Sequence, residues 1–208
     1  MALRKIVYED DPLLRKQSRE VKEISDRIKL LIGDMWETLY NENGVGLAAP
    51  QVGVLRRIVV IDTTPQPEEL EEDDDDAGEE SETEDHSGEE ALSEEALSEE
   101  PQDSPDPKEP PMPQKYVLIN PEIIWASDEV ICGNEGCLSV PGCVASVERN
   151  ERVRVKALDE EGEPFEIEAD GLLAKALQHE IDHLRGVLII DIAKEVKDLN
   201  KEENASDE

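Results

Sequence analysis

His179 and His183 are four residues apart in the run Gln178-His179-Glu180-Ile181-Asp182-His183. On a helix, residues at that spacing share a face, so both imidazoles can reach one metal ion. Glu180, next to His179, can then carry a proton to or from a water activated there. The chain has only three histidines, and this pair uses two of them. A histidine pair on a helix can also be purely structural. If it were buried, it would then need two separate sets of hydrogen-bond partners.

The surroundings predict that helix. Leu173, Ala176, Leu177, Ile181 and Leu184 form one apolar stripe at helical spacing. Asp170 is a candidate N-cap, and Gly186 a candidate C-terminal stop. A hydrolytic metal site usually has three protein ligands and one open position. Downstream, Asp191 and Glu195 are candidates, but neither sits in a strong pattern. The better candidate is upstream: Cys137, in the expected Gly-punctuated loop Gly133-Asn134-Glu135-Gly136-Cys137-Leu138-Ser139-Val140-Pro141-Gly142. A thiolate suits a borderline divalent metal, and glycines let backbone approach closely.

A third block, Gly44-Val45-Gly46-Leu47-Ala48-Ala49-Pro50-Gln51-Val52-Gly53, is small, apolar and Gly-rich. A tight helix-to-strand connection terminated by Gly44 accounts for most of it. It does not account for the lone amide of Gln51, which could aim a donor at developing negative charge.

Gly44 to Gln51, Glu135 to Ser139 and Gln178 to His183, in that order, closely resemble the peptide deformylase family. Val117-Leu118-Ile119-Asn120-Pro121 and Ala169-Asp170-Gly171-Leu172-Leu173-Ala174 extend the likeness to nearly the whole chain outside one acidic insertion. The resemblance implies an enzyme that removes the formyl group from the N-terminal formylmethionine of new proteins. It implies Cys137, His179 and His183 as metal ligands and Glu180 as general base, then general acid. Gln51 and the main-chain N–H of Leu138 would stabilise the oxyanion. Gly46 would offer main-chain hydrogen bonds to substrate, and Val45 and Leu172 would line the methionine pocket. Arg149 matches an arginine that lies near the substrate backbone in the family. Its local context, Val147-Glu148-Arg149, departs from the Val-Pro-Arg expected there. The family usually works with iron(II), and the ligand types also suit zinc, nickel or cobalt. Iron beside a thiolate would make the site oxygen-sensitive.

The residues themselves describe the same chemistry. A divalent metal makes water a stronger acid. Glu180 takes a proton from that water, which attacks the formyl carbon, and returns it to the departing amine. Gln51 and Leu138 donate where the carbonyl oxygen becomes negative. Cys137 reads as a ligand rather than a nucleophile.

The net charge is −33 over 208 residues. Between Glu68 and Glu109 there are 22 acidic residues and one base, Lys108, so this segment carries about two-thirds of that charge. Such a block predicts disorder from about residue 64 to 114, inserted in a hairpin loop where added length costs little entropy. His86, alone among those acids, is not read as a ligand. The chain is therefore expected to be a single catalytic domain, 1–208, interrupted by that insertion. Its acidity argues against direct nucleic-acid binding. The first residues, Met1 to Tyr8, lack the apolar core of a secretory signal. No run is long enough to cross a membrane. Three cysteines (Cys132, Cys137 and Cys143) fit a reduced, cytoplasmic protein.

The fold expected is α+β, with antiparallel strands packed around a central metal-binding helix. A first helix is expected from Ser25 to about Asn41. Strands are expected at 57–62, 116–120, 123–127, 129–134, 152–158 and 164–168, with Val187-Leu188-Ile189-Ile190 as an apolar strand or core segment. The end from Lys194 is expected to fray. Its acidic Asp207-Glu208 gives no support to the ribosome contact that basic tails make in the family. The expected partner is a formylmethionyl nascent peptide, met by a monomer. The alternative is a metal-binding scaffold with a vestigial site whose acidic segment recruits a basic partner. A metalloprotease of broader specificity is disfavoured by the upstream cysteine.

Overall fold

Ile58-Val59-Val60-Ile61-Asp62 is buried along its whole length, as a strand covered on both faces must be. In the computed structural model, which describes residues 2–64 and 115–199, this strand organises everything around it. Alternate side chains point opposite ways. Val59 and Ile61 join one apolar cluster, and Ile58 and Val60 another.

A helix covers each face. α1 (Asp26–Asn41) sets Leu31, Ile32, Met35 and Leu39 against Ile58 and Val60. α2 (Gly171–Arg185) sets Leu173, Ala174, Leu177, Ile181 and Leu184 against Val59 and Ile61. The strands are β1 (Gly46–Ala48), β2 (Ile58–Asp62), β3 (Lys115–Ala126), β4 (Val130–Cys137), β5 (Val140–Asn150), β6 (Val153–Leu158), β7 (Pro164–Ala169) and β8 (Glu195–Asp198), with a one-turn helix α3 (Ile189–Ile192) before the last. Five form a sheet in the order β1-β2-β3-β6-β7, and three form a second sheet, β4-β5-β8. Every pairing between these strands is antiparallel. The smaller sheet packs Val140, Ala145 and Val147 on Leu14, Leu188 and Ile189. The α+β architecture with α2 at its centre agrees with the sequence.

Several local expectations are corrected. The strands expected at 116–120 and 123–127 are one, β3, with a register break after Ile119. At the break Asn120 takes φ 54°, and its side chain bonds both main-chain groups of Val21, at 2.9 Å each. The residues from Val140 form β5 rather than a loop. Ile189–Ile192 is helical, capped by the Asp191 carboxylate, which accepts from the Leu188 N–H at 2.8 Å. Glu195–Asp198 does not fray: it pairs with Cys143–Ser146 of β5. α1 is closed by Asn43 at φ 50° together with the expected Gly44, whose N–H donates to Leu39 O at 3.0 Å. The disorder expected of the acidic insertion, and the reading of His86, lie outside the described residues.

Candidate metal centre

α2 brings His179, Glu180 and His183 to the core side of a cleft whose other wall is β1 and the β4–β5 turn. The two imidazole rings are 5.0 Å apart, one edge toward the other's face. Cys137 ends β4, with Sγ 3.3 Å from Nε2 of His183. One donor atom from each of Cys137, His179 and His183 lies within 4.8 Å of the others. Among the described residues this is the only such cluster. The downstream candidates are excluded by position. Asp191 caps α3 and pairs with Arg15, while Glu195 is exposed on β8.

The donor set fits a divalent metal. One sulfur and two imidazoles suit borderline ions. Burial pulls His179 down, but Cys137 and Glu135 outweigh it and push His179 up to about 10. Its surroundings therefore favour a positive charge, which a divalent ion supplies as a proton does. Burial, with His179 alongside, drives His183 well below the ordinary imidazole range. It is neutral, the form that ligates.

Behind His179 stands a chain of charges. Oε2 of Glu135 lies 2.9 Å from Nδ1 of His179. Arg149 grips Glu135 with two donors, at 2.8 and 3.0 Å, and donates a third bond to Asp182 at 2.5 Å. Burial opposes the charge on Glu135, but His179 and Arg149 overcome it and hold the carboxyl at about 2. This corrects the expectation for Arg149. It is buried in these ion pairs and absent from the cleft lining, because β5 turns it inward.

Glu180 is buried, with an oxygen packed on β1. A Cβ added to Gly46 would meet Glu180 Oε1 at 2.5 Å. Burial, with Glu135 nearby, pushes this carboxyl up to about 7 against the pull of His179 and Arg149. Gln51 is also buried. Its Oε1 accepts the Ala48 N–H at 2.8 Å, which turns Nε2 toward Ser139 Oγ (3.3 Å) and Cys137 Sγ (3.7 Å). The amide is thus held with its donor facing the metal ligands. Leu138 opens the two-residue turn between β4 and β5. Gly46, Val45 and Leu172 line the cleft, the last two as exposed apolar side chains. The sequence reading gave no role to Glu135, Asp182 or Lys175. Glu135 precedes Cys137 by two, the strand spacing that sends side chains to one face, and this was a usable signal.

An α+β scaffold that holds a cysteine and two helix-borne histidines beside a buried carboxylate defines a metal-dependent hydrolase. The model for polypeptide deformylase matches residues 3–199. A peptide deformylase of Thermodesulfovibrio yellowstonii is 40% identical over 191 residues, spanning 92% of this chain and 89% of its own. Peptide deformylase 1 of Clostridium perfringens is 41% identical, spanning 92% and 98%. Among solved structures, a peptide deformylase from Legionella pneumophila superposes with TM-score 0.68 at 34% identity, over 99% of this chain and 98% of that one. One from Synechococcus elongatus in complex with actinonin gives 0.68 at 33%, over 97% and 85%. The chain belongs to the polypeptide deformylase family. It is a metal-dependent enzyme that removes the N-terminal formyl group from formylmethionine of newly synthesised proteins. No helix among the described residues is long and apolar enough to cross a membrane.

Proposed function

We propose that Cys137, His179 and His183 hold one divalent ion, iron(II) in the cell, and that Glu180, Gln51 and Leu138 carry out deformylation around it. What supports this most is convergence. The buried Glu180, the aimed amide of Gln51, Cys137 and His179 border one cleft, and the third donor residue, His183, is buried beside them. When bound, the ion supplies Lewis acidity, which in favourable sites brings the pKa of water to roughly 7.

Glu180 takes the proton of the attacking water. A carboxyl pushed up to about 7 is matched to gaining and losing a proton near neutrality. As the formyl carbon becomes tetrahedral, Gln51 and the main-chain N–H of Leu138 donate to its oxygen. One such donor is worth about 2.7–4 kcal/mol in a comparable hydrolase. Glu180 then passes its proton to the departing nitrogen, leaving formate and a free N-terminus. Val45 and Leu172 receive the methionine side chain. β1 is the edge of its sheet, so Gly46 can pair with an extended peptide as an added strand. Arg149 acts behind the site rather than on the substrate. The chain works as a monomeric, single catalytic domain in the cytoplasm, on nascent peptides. The acidic segment at about 64–114 is an insertion in that domain.

The test is formate release from formyl-Met-Ala-Ser by protein purified without oxygen, beside Glu180→Ala. Activity in the first, and its loss in a metal-loaded second, is expected. No formate from folded, metal-loaded protein would overturn the reading. Iron is tested by aerating the iron-loaded enzyme, which should lose activity while a nickel-loaded one keeps it.

A further inference from the structure

Arg19 and Arg56 are paired in register by an isolated parallel β-bridge. The Arg19 N–H donates to Leu55 O at 3.2 Å, and the Arg57 N–H to Arg19 O at 2.9 Å. Main chains so paired stand about 4.8 Å apart, and residues directly opposite send their side chains to one side. Like charges in that relation are destabilising. Nothing offsets them. Neither guanidinium has an ion pair or side-chain hydrogen bond among the described residues, in a chain with 54 acidic residues. Arg57, next along, is committed: it donates to Pro121 O.

Both arginines line one cavity of about 640 Å³, within the usual size of a small-molecule site. It shares no residue with the metal cleft. Lys22 lines it too and is likewise unpaired among the described residues. The wall that carries these cations is fixed. The β-bridge holds Arg19, and the Asn120 side chain clasps both main-chain groups of Val21. Ser25, at the start of α1, adds a hydroxyl that makes no capping bond. Glu20 and Glu23 complete the charged lining, so cations outnumber carboxylates three to two.

An arginine fork matches two oxygens of a phosphoryl group. Two forks rooted side by side match two phosphoryl groups joined through one oxygen. The net charge of −33 does not forbid such a ligand. At about 0.15 M salt, exposed charges more than about 8 Å away are largely screened. The two nearby carboxylates do bear on the choice. They repel a bare diphosphate, and they accept from the hydroxyls of a sugar that carries one.

We propose that this cavity is a binding site for a diphosphate group, and that it favours nucleoside diphosphates over free diphosphate. Arg19 and Arg56 take the two phosphoryl groups, and Lys22 adds its charge. Glu20 and Glu23 accept from the ribose hydroxyls.

The test is calorimetric titration of the nickel-loaded protein with ADP, GDP, inorganic diphosphate and adenosine, beside Arg19→Gln, Arg56→Gln and the double variant Glu20→Gln, Glu23→Gln. ADP and GDP should bind and adenosine should not. Each arginine variant should weaken binding about tenfold or more, and salt should weaken it in wild type. The double variant should bind free diphosphate more tightly than wild type does. Without ligand, the arginine variants should melt no lower than wild type, because they relieve a like-charge pair, and should release formate as wild type does. Free diphosphate bound as tightly as ADP would support the site and remove the carboxylates' part in it. No binding of any diphosphate would overturn the proposal. So would binding that persists in both arginine variants, as chelation at the metal centre would. A lower melting temperature in those variants without ligand would make the pair structural, and would overturn it too.

Discussion

Glu135 and His179, on β4 and α2, meet through a 2.9 Å contact between Oε2 and Nδ1. A proton held on Nδ1 leaves Nε2 of His179 for the metal, and the carboxylate raises the basicity of the ring. The partners of Glu135 fix it in turn. Losing such an outer contact typically costs about 10–100-fold in metal affinity. Glu135→Gln should fall in that range, measured by competition with a chelator. Glu135→Ala should also lose stability, on the order of 3–5 kcal/mol, because Arg149 would be left buried beside a missing partner. Unchanged metal affinity in both variants would reduce the contact to packing.

Gly46 faces Glu180 so closely that no side chain fits. A Cβ would stand 2.5 Å from Oε1 and 2.9 Å from both Cδ and Cγ. In Gly46→Ala either β1 or Glu180 must shift. A misplacement of about 1 Å can cost on the order of 100-fold in rate. We expect kcat to fall by about that factor with little change in bound metal, since the added Cβ falls on Glu180 rather than on a ligand. Full activity in Gly46→Ala would show that Glu180 can retreat without harm.

α2 was legible in the sequence because its stripe, its glycine stop and its histidine spacing all point the same way. The strand β5 was not. Pro141 and Gly142 read as loop, and much of the strand is half-exposed, so its alternation is blurred. Missing β5 also misplaced Arg149. Once the strand is known, Ala145, Val147 and Arg149 alternate onto its buried side, so the guanidinium points inward and needs a carboxylate. The partners Glu135 and Asp182 come from two other elements, and no local pattern joins them. α3 and β8 are too short for periodicity to separate helix from strand.

Asp34 makes part of the stability depend on acid. Its carboxylate accepts the Ala2 N–H at 2.7 Å and two bonds from Arg4 at 2.9 and 2.7 Å. The Ala2 bond is the main reason its folded-state value lies below the usual carboxylate range, with Arg4 adding and burial opposing. A depressed carboxyl contributes stability above its unfolded value, near 3.8. That contribution is lost as pH falls through the lower, folded value. Asp34→Asn should therefore flatten the acid limb of unfolding free energy below about pH 4. It should also lower stability at neutrality, where the wild-type carboxylate is charged. An unaltered acid limb would place the sensitivity in other carboxylates.

Gly186 and Gly53 separate two costs that usually come together. Both have φ 81°, so alanine at either bears the strain of the left-handed region, about 1–2 kcal/mol. They differ in surroundings. A Cβ at Gly53 would meet only Val7 Cγ2, at 3.9 Å, whereas one at Gly186 would strike the Arg15 carbonyl, with oxygen at 2.6 Å and carbon at 2.7 Å. That carbonyl belongs to the 3-10 turn Pro12–Arg15, and the Ser18 N–H just beyond it donates to Leu184 O at 2.8 Å. Backbone on both sides cannot yield as a flexible side chain would. Gly53→Ala should cost only the conformational part, and Gly186→Ala clearly more, by roughly 1–3 kcal/mol of overpacking strain. Denaturant unfolding of the two variants, with matched m-values, measures the difference. Equal losses would mean that the end of α2 can swing away from the N-terminal segment at no cost.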